Sequence, residues 1–321
     1  MQKVMTLQRP RGRVGLVLGS VVILLLVLAC SPAEVEVVEK GPVVVASKID
    51  TEGALLGSMI VQILQNDGFA VTDRTQFGPT DVIRRAIIND EIDLYPEYTG
   101  NGAFFFSDGP QDVWNDATAG YEAVRELDRE ANDIVWLQPA PANNTWAIAV
   151  REDLAEAEGL STLEDLARYM NAGGRVRLAG SEEFAARDDA LPAFETAYGF
   201  EFTSDRLLLL SGGDTAVTAQ AAARQTDGVN LAMAYGTDGQ LSALGLRVLE
   251  DTLGVQPVYE PAPIIRAAVL EEYPEIEDLL APVFEALTLE VLQGLNAAIQ
   301  VEGRDASEVA REYLNEHGFL N

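Results

Sequence analysis

Cysteine and histidine are almost missing from this chain of 321 residues, which has one of each, Cys30 and His317. A lone cysteine forms no internal disulfide. The Ser-His and Cys-His pairs of nucleophilic catalysis need a histidine within reach of a nucleophile. His317 instead lies beside Gly318 near the C-terminus and reads as the end of a helix. No Gly-x-Ser-x-Gly elbow, Walker-type phosphate loop or Gly-x-Gly-x-x-Gly fingerprint occurs. These absences argue against an enzyme and against a bound cofactor. Basic residues are also scarce, 22 against 51 acidic ones for a net charge of −29. Such a surface repels a phosphate backbone, so no nucleic acid partner is expected. The acidic pairs Glu182-Glu183, Asp188-Asp189 and Glu271-Glu272 read as solvated faces in so acidic a chain, and no metal site is expected.

No acidic residue lies in the first 29 positions, where Lys3, Arg9, Arg11 and Arg13 precede a nearly unbroken apolar run from Val14 to Leu28. The run is shorter than the roughly 20 residues of a membrane span. It closes on Val27-Leu28-Ala29-Cys30. That is the form of a lipoprotein signal peptide over residues 1–29, with Cys30 as the lipidated residue. Processing removes four of the 22 basic residues and no acid, so −29 becomes −33. Residues 30–41 read as a tether. The expected address is extracytoplasmic, with the chain held to the bacterial membrane by its lipid.

Beyond the tether, apolar patterning gives two α/β units. Pro42 to Ala46 suits a buried strand, and Leu55, Leu56, Met59, Ile60, Ile63 and Leu64 fall at helical spacing before Asn66-Asp67-Gly68. Phe69 to Val71 and Ile92 to Tyr95 read as further strands, with a helix through Val82 to Ile87 between them. Strand and helix alternating in this way imply right-handed crossovers. The pattern restarts at Trp146 to Val150, and Ser161-Thr162-Leu163-Glu164 has capping-box form. Strands at Val176 to Ala179, Leu207 to Leu210 and Val229 to Tyr235 follow, then Leu246 to Leu249 and Pro263 to Ile265. A helical tail spans Pro274 to Gly318. The reading is lobe I from 42–145 and 244–321, lobe II from 146–243, and a ligand cleft between them.

Four segments carry the chemistry: Val44-Val45-Ala46-Ser47-Lys48, Ile92 to Gly100 with its Tyr95-Pro96-Glu97-Tyr98-Thr99-Gly100, Gly180-Ser181 with Phe184 to Arg187, and Ala234-Tyr235-Gly236-Thr237-Asp238-Gly239. In this order they resemble the substrate-binding proteins of ABC importers for glycine betaine, carnitine, choline and related osmoprotectants, from about Pro42 to the C-terminus. The resemblance implies a two-lobed periplasmic-binding-protein-like fold of type II. It also implies an ABC permease as partner and a small zwitterionic or cationic ligand. A trimethylammonium group has no hydrogen-bond donor, so aromatic faces must attract it. By resemblance Tyr98 and Trp146 are cage rings, and the carbonyl of Asn144 faces the cation. Lys48 and Arg187 hold the ligand carboxylate, and Asn101 stands where the family has a hydroxyl.

Two further family rings align with Ala221 and Leu244, which implies a half-built cage. Tyr235 is expected to be structural, and Tyr95, Phe104 to Phe106, Trp114 and Trp136 are assigned to packing. A different small carboxylate or amine metabolite is the alternative ligand, and a sensor lipoprotein or an enzyme on the same fold are the readings outside transport.

Overall fold

The computed structural model describes residues 40–110, 113–212 and 214–320. The leader, Cys30 and nearly all of the tether lie outside the described residues.

Among the described residues, ten strands form two five-stranded sheets. In the first, β1 (Lys40–Lys48), β2 (Phe69–Gly78) and β3 (Leu94–Tyr98) run parallel, in the order β2-β1-β3. The other edge of β3 pairs antiparallel with a strand from far along the chain, β10 (Pro261–Arg266), which in turn pairs antiparallel with β4 (Ile134–Trp136). The second sheet repeats the plan. There β6 (Leu178–Ser181) is parallel to both β7 (Leu207–Leu210) and β8 (Leu231–Tyr235). The incoming β5 (Trp146–Arg151) runs antiparallel to β8 and to β9 (Leu246–Val248). The fold is α/β with two mixed sheets, one to a lobe. Leu246–Val248 therefore belongs to the second sheet, where a boundary at 244 put it in lobe I.

Helices cover the sheets because their apolar stripes need a partner surface. Thr51–Asn66 packs Leu55, Met59 and Ile63 into a core that the tail helices Glu275–Ala286, Leu289–Gln300 and Ala306–Glu316 complete with Leu280, Leu292 and Leu314. Helix Leu163–Asn171 is started by a capping box one residue later than expected, between Thr162 and Asp165 rather than Ser161 and Glu164.

The chain crosses between the sheets twice, from β4 to β5 and from β9 to β10, and the two crossings are bonded side by side. Asn144 N donates to Tyr259 O (2.8 Å) and Tyr259 N to Asn143 Oδ1 (2.9 Å). Thr145 Oγ1 donates to Pro257 O (3.1 Å). Gly236, just past β8, donates its N–H to Thr145 O, and a Cβ there would lie 2.3 Å from Asn143 O. At Gly239 a Cβ would fall 2.0 Å from Gln293 O on the tail. Glycine at both positions is what lets the loop after β8 touch the crossing and the tail together.

Candidate functional site

In parallel sheets the carboxyl ends of neighbouring strands open onto the same crevice. Lys48 ends β1, Tyr98 ends β3, Tyr235 ends β8, and β6 ends at Ser181, where a short helix leads to Arg187. Both crossings pass the same place, so Asn144, Trp146 and Tyr259 join them. One cavity results, and it is lined by all six residues expected from the sequence, Lys48, Tyr98, Asn101, Asn144, Trp146 and Arg187.

Two rings at this cavity were not expected there. Tyr235 lines it, with its ring centroid 4.8 Å from that of Trp146 and tilted by 45°. Tyr259, in the second crossing, lines it as well. Trp146 is braced from behind by Phe184 at 5.1 Å. Tyr98, Trp146 and Tyr259 are each buried, at 5%, 6% and 3% exposure, so little water reaches these rings. The alignment of the missing rings with Ala221 and Leu244 is overturned. Both pack in the apolar core of the second lobe, around Ala219 and Leu241, and neither lines the cavity. The cleft carries four aromatic residues, and Tyr235 is one of them. Phe104 also departs from its assignment to the core. It is 41% exposed, with the Arg187 guanidinium 4.3 Å from its ring centre.

The polar end is a chain of bonds that runs from one lobe to the other. Lys48 Nζ pairs with Glu97 Oε1 at 2.6 Å. The same carboxylate accepts from Asn101 Nδ2 (2.7 Å), from the Tyr98 N–H (2.8 Å) and from the Tyr95 hydroxyl (2.9 Å). Glu97 is fully buried, and these bonds satisfy its charge. Asn101 Oδ1 then accepts from Arg187 Nη1 across the cleft (3.0 Å). Arg187 also donates to both oxygens of Asp189 and to Glu183 Oε1. Burial works against the guanidinium's charge, but Asp189 and Glu183 outweigh it and raise its proton affinity above the ordinary arginine value. An amide at 101 does what a hydroxyl does less readily, donating to one charged group while accepting from another 3.0 Å away on the other lobe. Lys48 also lies 4.9 Å from the Tyr98 ring centre, so that ring already carries one ammonium.

Behind the rings, Glu52 and Asp238 are buried, and burial pushes their carboxyls up to about 7 and about 6. Tyr98 and Tyr235 are likewise held well above the usual phenol range by burial and nearby carboxylates. Both phenols therefore stay neutral at any working pH. Glu52, Glu97 and Tyr259 escaped the sequence reading. Glu97 stands inside the most specific motif, yet one acid among 51 gives no signal of its own. Among the described residues no three His, Cys, Asp or Glu side chains converge as a metal site.

The family model for the substrate-binding domain of ABC-type glycine betaine transport systems matches residues 41–316. The glycine betaine-binding protein YehZ of Escherichia coli is 58% identical over 278 residues, which is 87% of this chain and 91% of that one. A glycine-betaine-binding protein of Pseudomonas aeruginosa is 33% identical over 283 residues, 86% of this chain and 88% of its own length. The solved apo structure of the E. coli protein superposes with a TM-score of 0.65 at 57% identity, covering 87% of this chain and all of the other.

Proposed function

Since the chain belongs to the substrate-binding domains of ABC-type glycine betaine transport systems, a family of transport proteins and not of enzymes, we propose that it captures glycine betaine or a close quaternary-ammonium relative and delivers it to an ABC permease. The observation that carries this reading is the meeting of Tyr98, Trp146, Tyr235 and Tyr259 with Lys48 and Arg187 in one cleft. Ring faces attract a methylated cation that offers no hydrogen-bond donor, each contributing about 0.5–2 kcal/mol. Lys48 and Arg187 favour a carboxylate at the opposite end, and the ligand must share them with Glu97, Glu183 and Asp189. Capture fits a cleft whose walls come from two sheets, because ligand contacts to both lobes favour closure.

On this reading the protein acts outside the cytoplasm, exported by the leader over residues 1–29 and tethered through lipid on Cys30. Among the described residues no helix is long and apolar enough to cross a membrane. Titration calorimetry tests the proposal. Glycine betaine should bind, and Trp146→Ala should weaken it roughly tenfold, the loss of about 1–2 kcal/mol for one desolvated ring face. Absence of heat with betaine, choline and carnitine at millimolar concentration would reject it.

A further inference from the structure

Three hydrogen bonds end on one carboxylate just behind the cavity wall. Glu52 opens helix Thr51–Asn66 and is 4% exposed. Its Oε1 accepts from the Tyr98 hydroxyl and from Asn144 Nδ2, both at 3.0 Å, and its Oε2 from Asn296 Nδ2 at 2.6 Å. Glu52 itself does not line the cavity, whereas Tyr98 and Asn144 do. An ionised carboxylate offers acceptors only, so it decides which end of the Asn144 amide turns towards it. Nδ2 goes to Glu52. Oδ1 is left over, buried and with no partner among the described residues. A buried, unpaired amide oxygen is unfavourable unless something positive meets it. The polarised methyl hydrogens of a quaternary ammonium are suited to this, through weak C–H···O contacts.

We infer that Glu52 is a positioning residue that sets the cleft's preference for positive charge, by fixing the Tyr98 hydroxyl and presenting the oxygen of the Asn144 amide to the ligand. The inference rests on the quaternary-ammonium reading of the cleft and adds to it a residue that touches no ligand. Proton uptake reverses the effect. A neutral carboxyl donates its O–H, the Asn144 amide turns over to supply its oxygen, and an NH₂ then faces the cation. Charged groups around Glu52 set where that happens. Asp50 presses from the start of the same helix, itself near Lys48 at the end of β1, and Asp238 faces the same small cavity from the loop after β8. Thr237 and Asn296 hold the ionised form by hydrogen bonds, and burial outweighs them to bring the group to about 7.

The test is calorimetry on the purified protein with choline, glycine betaine and 3,3-dimethyl-1-butanol, the neutral carbon isostere of choline. E52Q should weaken both cations about tenfold, on the scale of one cation–ring contact, and leave the neutral alcohol unchanged. Wild-type affinity for choline, a permanent cation, should fall severalfold from pH 8 to pH 6, and E52Q should remove most of that fall, leaving the part that Asp50 and Asp238 contribute. An E52Q protein that melts like wild type and binds both cations equally well would overturn the inference. If E52Q does not fold, the wild-type profile decides alone, since a flat one also overturns it. Wild type that binds no cation removes the functional reading and this inference together. Wild type that binds cations with no dependence on pH or on E52Q removes only the inference.

Discussion

A buried carboxylate with no cation bonded to it holds its proton longer than one in water, and Glu52 is in that position. Its folded-state pKa of about 7 lies above the ordinary 4.5. The folded protein therefore binds the proton more tightly than the unfolded chain does. The stability this gives is fully present below about pH 4.5 and is lost as pH rises through 7, about 3 kcal/mol in all for a shift of this size. Asp238, raised to about 6, acts in the same direction over a narrower window. Urea unfolding of the wild type should therefore show a midpoint that falls between pH 5 and pH 8. In E52Q the fall should shrink to the part contributed by the other carboxyls that burial raises, Asp238 and Asp50 among them, and an unchanged slope would show that Glu52 is not the titrating group. The ionised form is thus less stable and, by the argument from Asn144, the better binder. Natural sites often accept lower stability where function needs it.

At the scale of elements, the glycines of the short loop after β8 are among the described glycines that leave least room for a Cβ. A Cβ at 236 would lie 2.3 Å from the carbonyl of Asn143, a backbone atom that has no rotamer to escape into. Gly236→Ala should force the first crossing away from β8, lower the melting temperature by several degrees and weaken any cleft ligand through the displaced Asn144 and Trp146. Thermal denaturation and calorimetry on one preparation would check both effects, and a variant with wild-type values would mean that the crossing yields freely. Elements with strong local signals were legible in the sequence. The apolar run of β1, the helical spacing from Leu55 to Leu64 and the aromatic-rich motif at β3 each carry a period or a turn. The sheet to which a strand belongs is a different kind of fact. β9 has only three residues, and nothing in Leu246-Arg247-Val248 says that its partner is β5. The same limit explains the rings. Tyr235 and Tyr259 stand alone at a strand end and in a crossing, with no periodicity to mark them. Ala221 and Leu244 rest on alignment with the family's ring positions, and one shifted turn is enough to displace it.

For the molecule as a whole, attachment and assembly are separate matters. Cys30 lies outside the described residues, and the anchoring role proposed for it rests on the leader pattern alone. Cys30→Ser should leave the chain as uncleaved precursor or release it to the soluble fraction. Membrane fractionation and metabolic labelling with palmitate would show this, and a wild type that takes up no label would count against the anchor.

The strand order has a further consequence, for the birth of the protein. The second sheet is built entirely from β5 to β9, one continuous stretch that ends at Val248. The first sheet is not. β10, its fourth strand in order, lies between β3 and β4 and begins only at Pro261, and the core over it needs the tail helices as far as Leu314. A chain emerging amino end first has therefore made and can close its later lobe while its earlier one still has an open strand edge and an uncovered apolar face. Such an edge invites pairing with other chains. The half of the molecule that is made first is finished last. Until the final helix arrives, the growing chain depends on being kept apart from its neighbours.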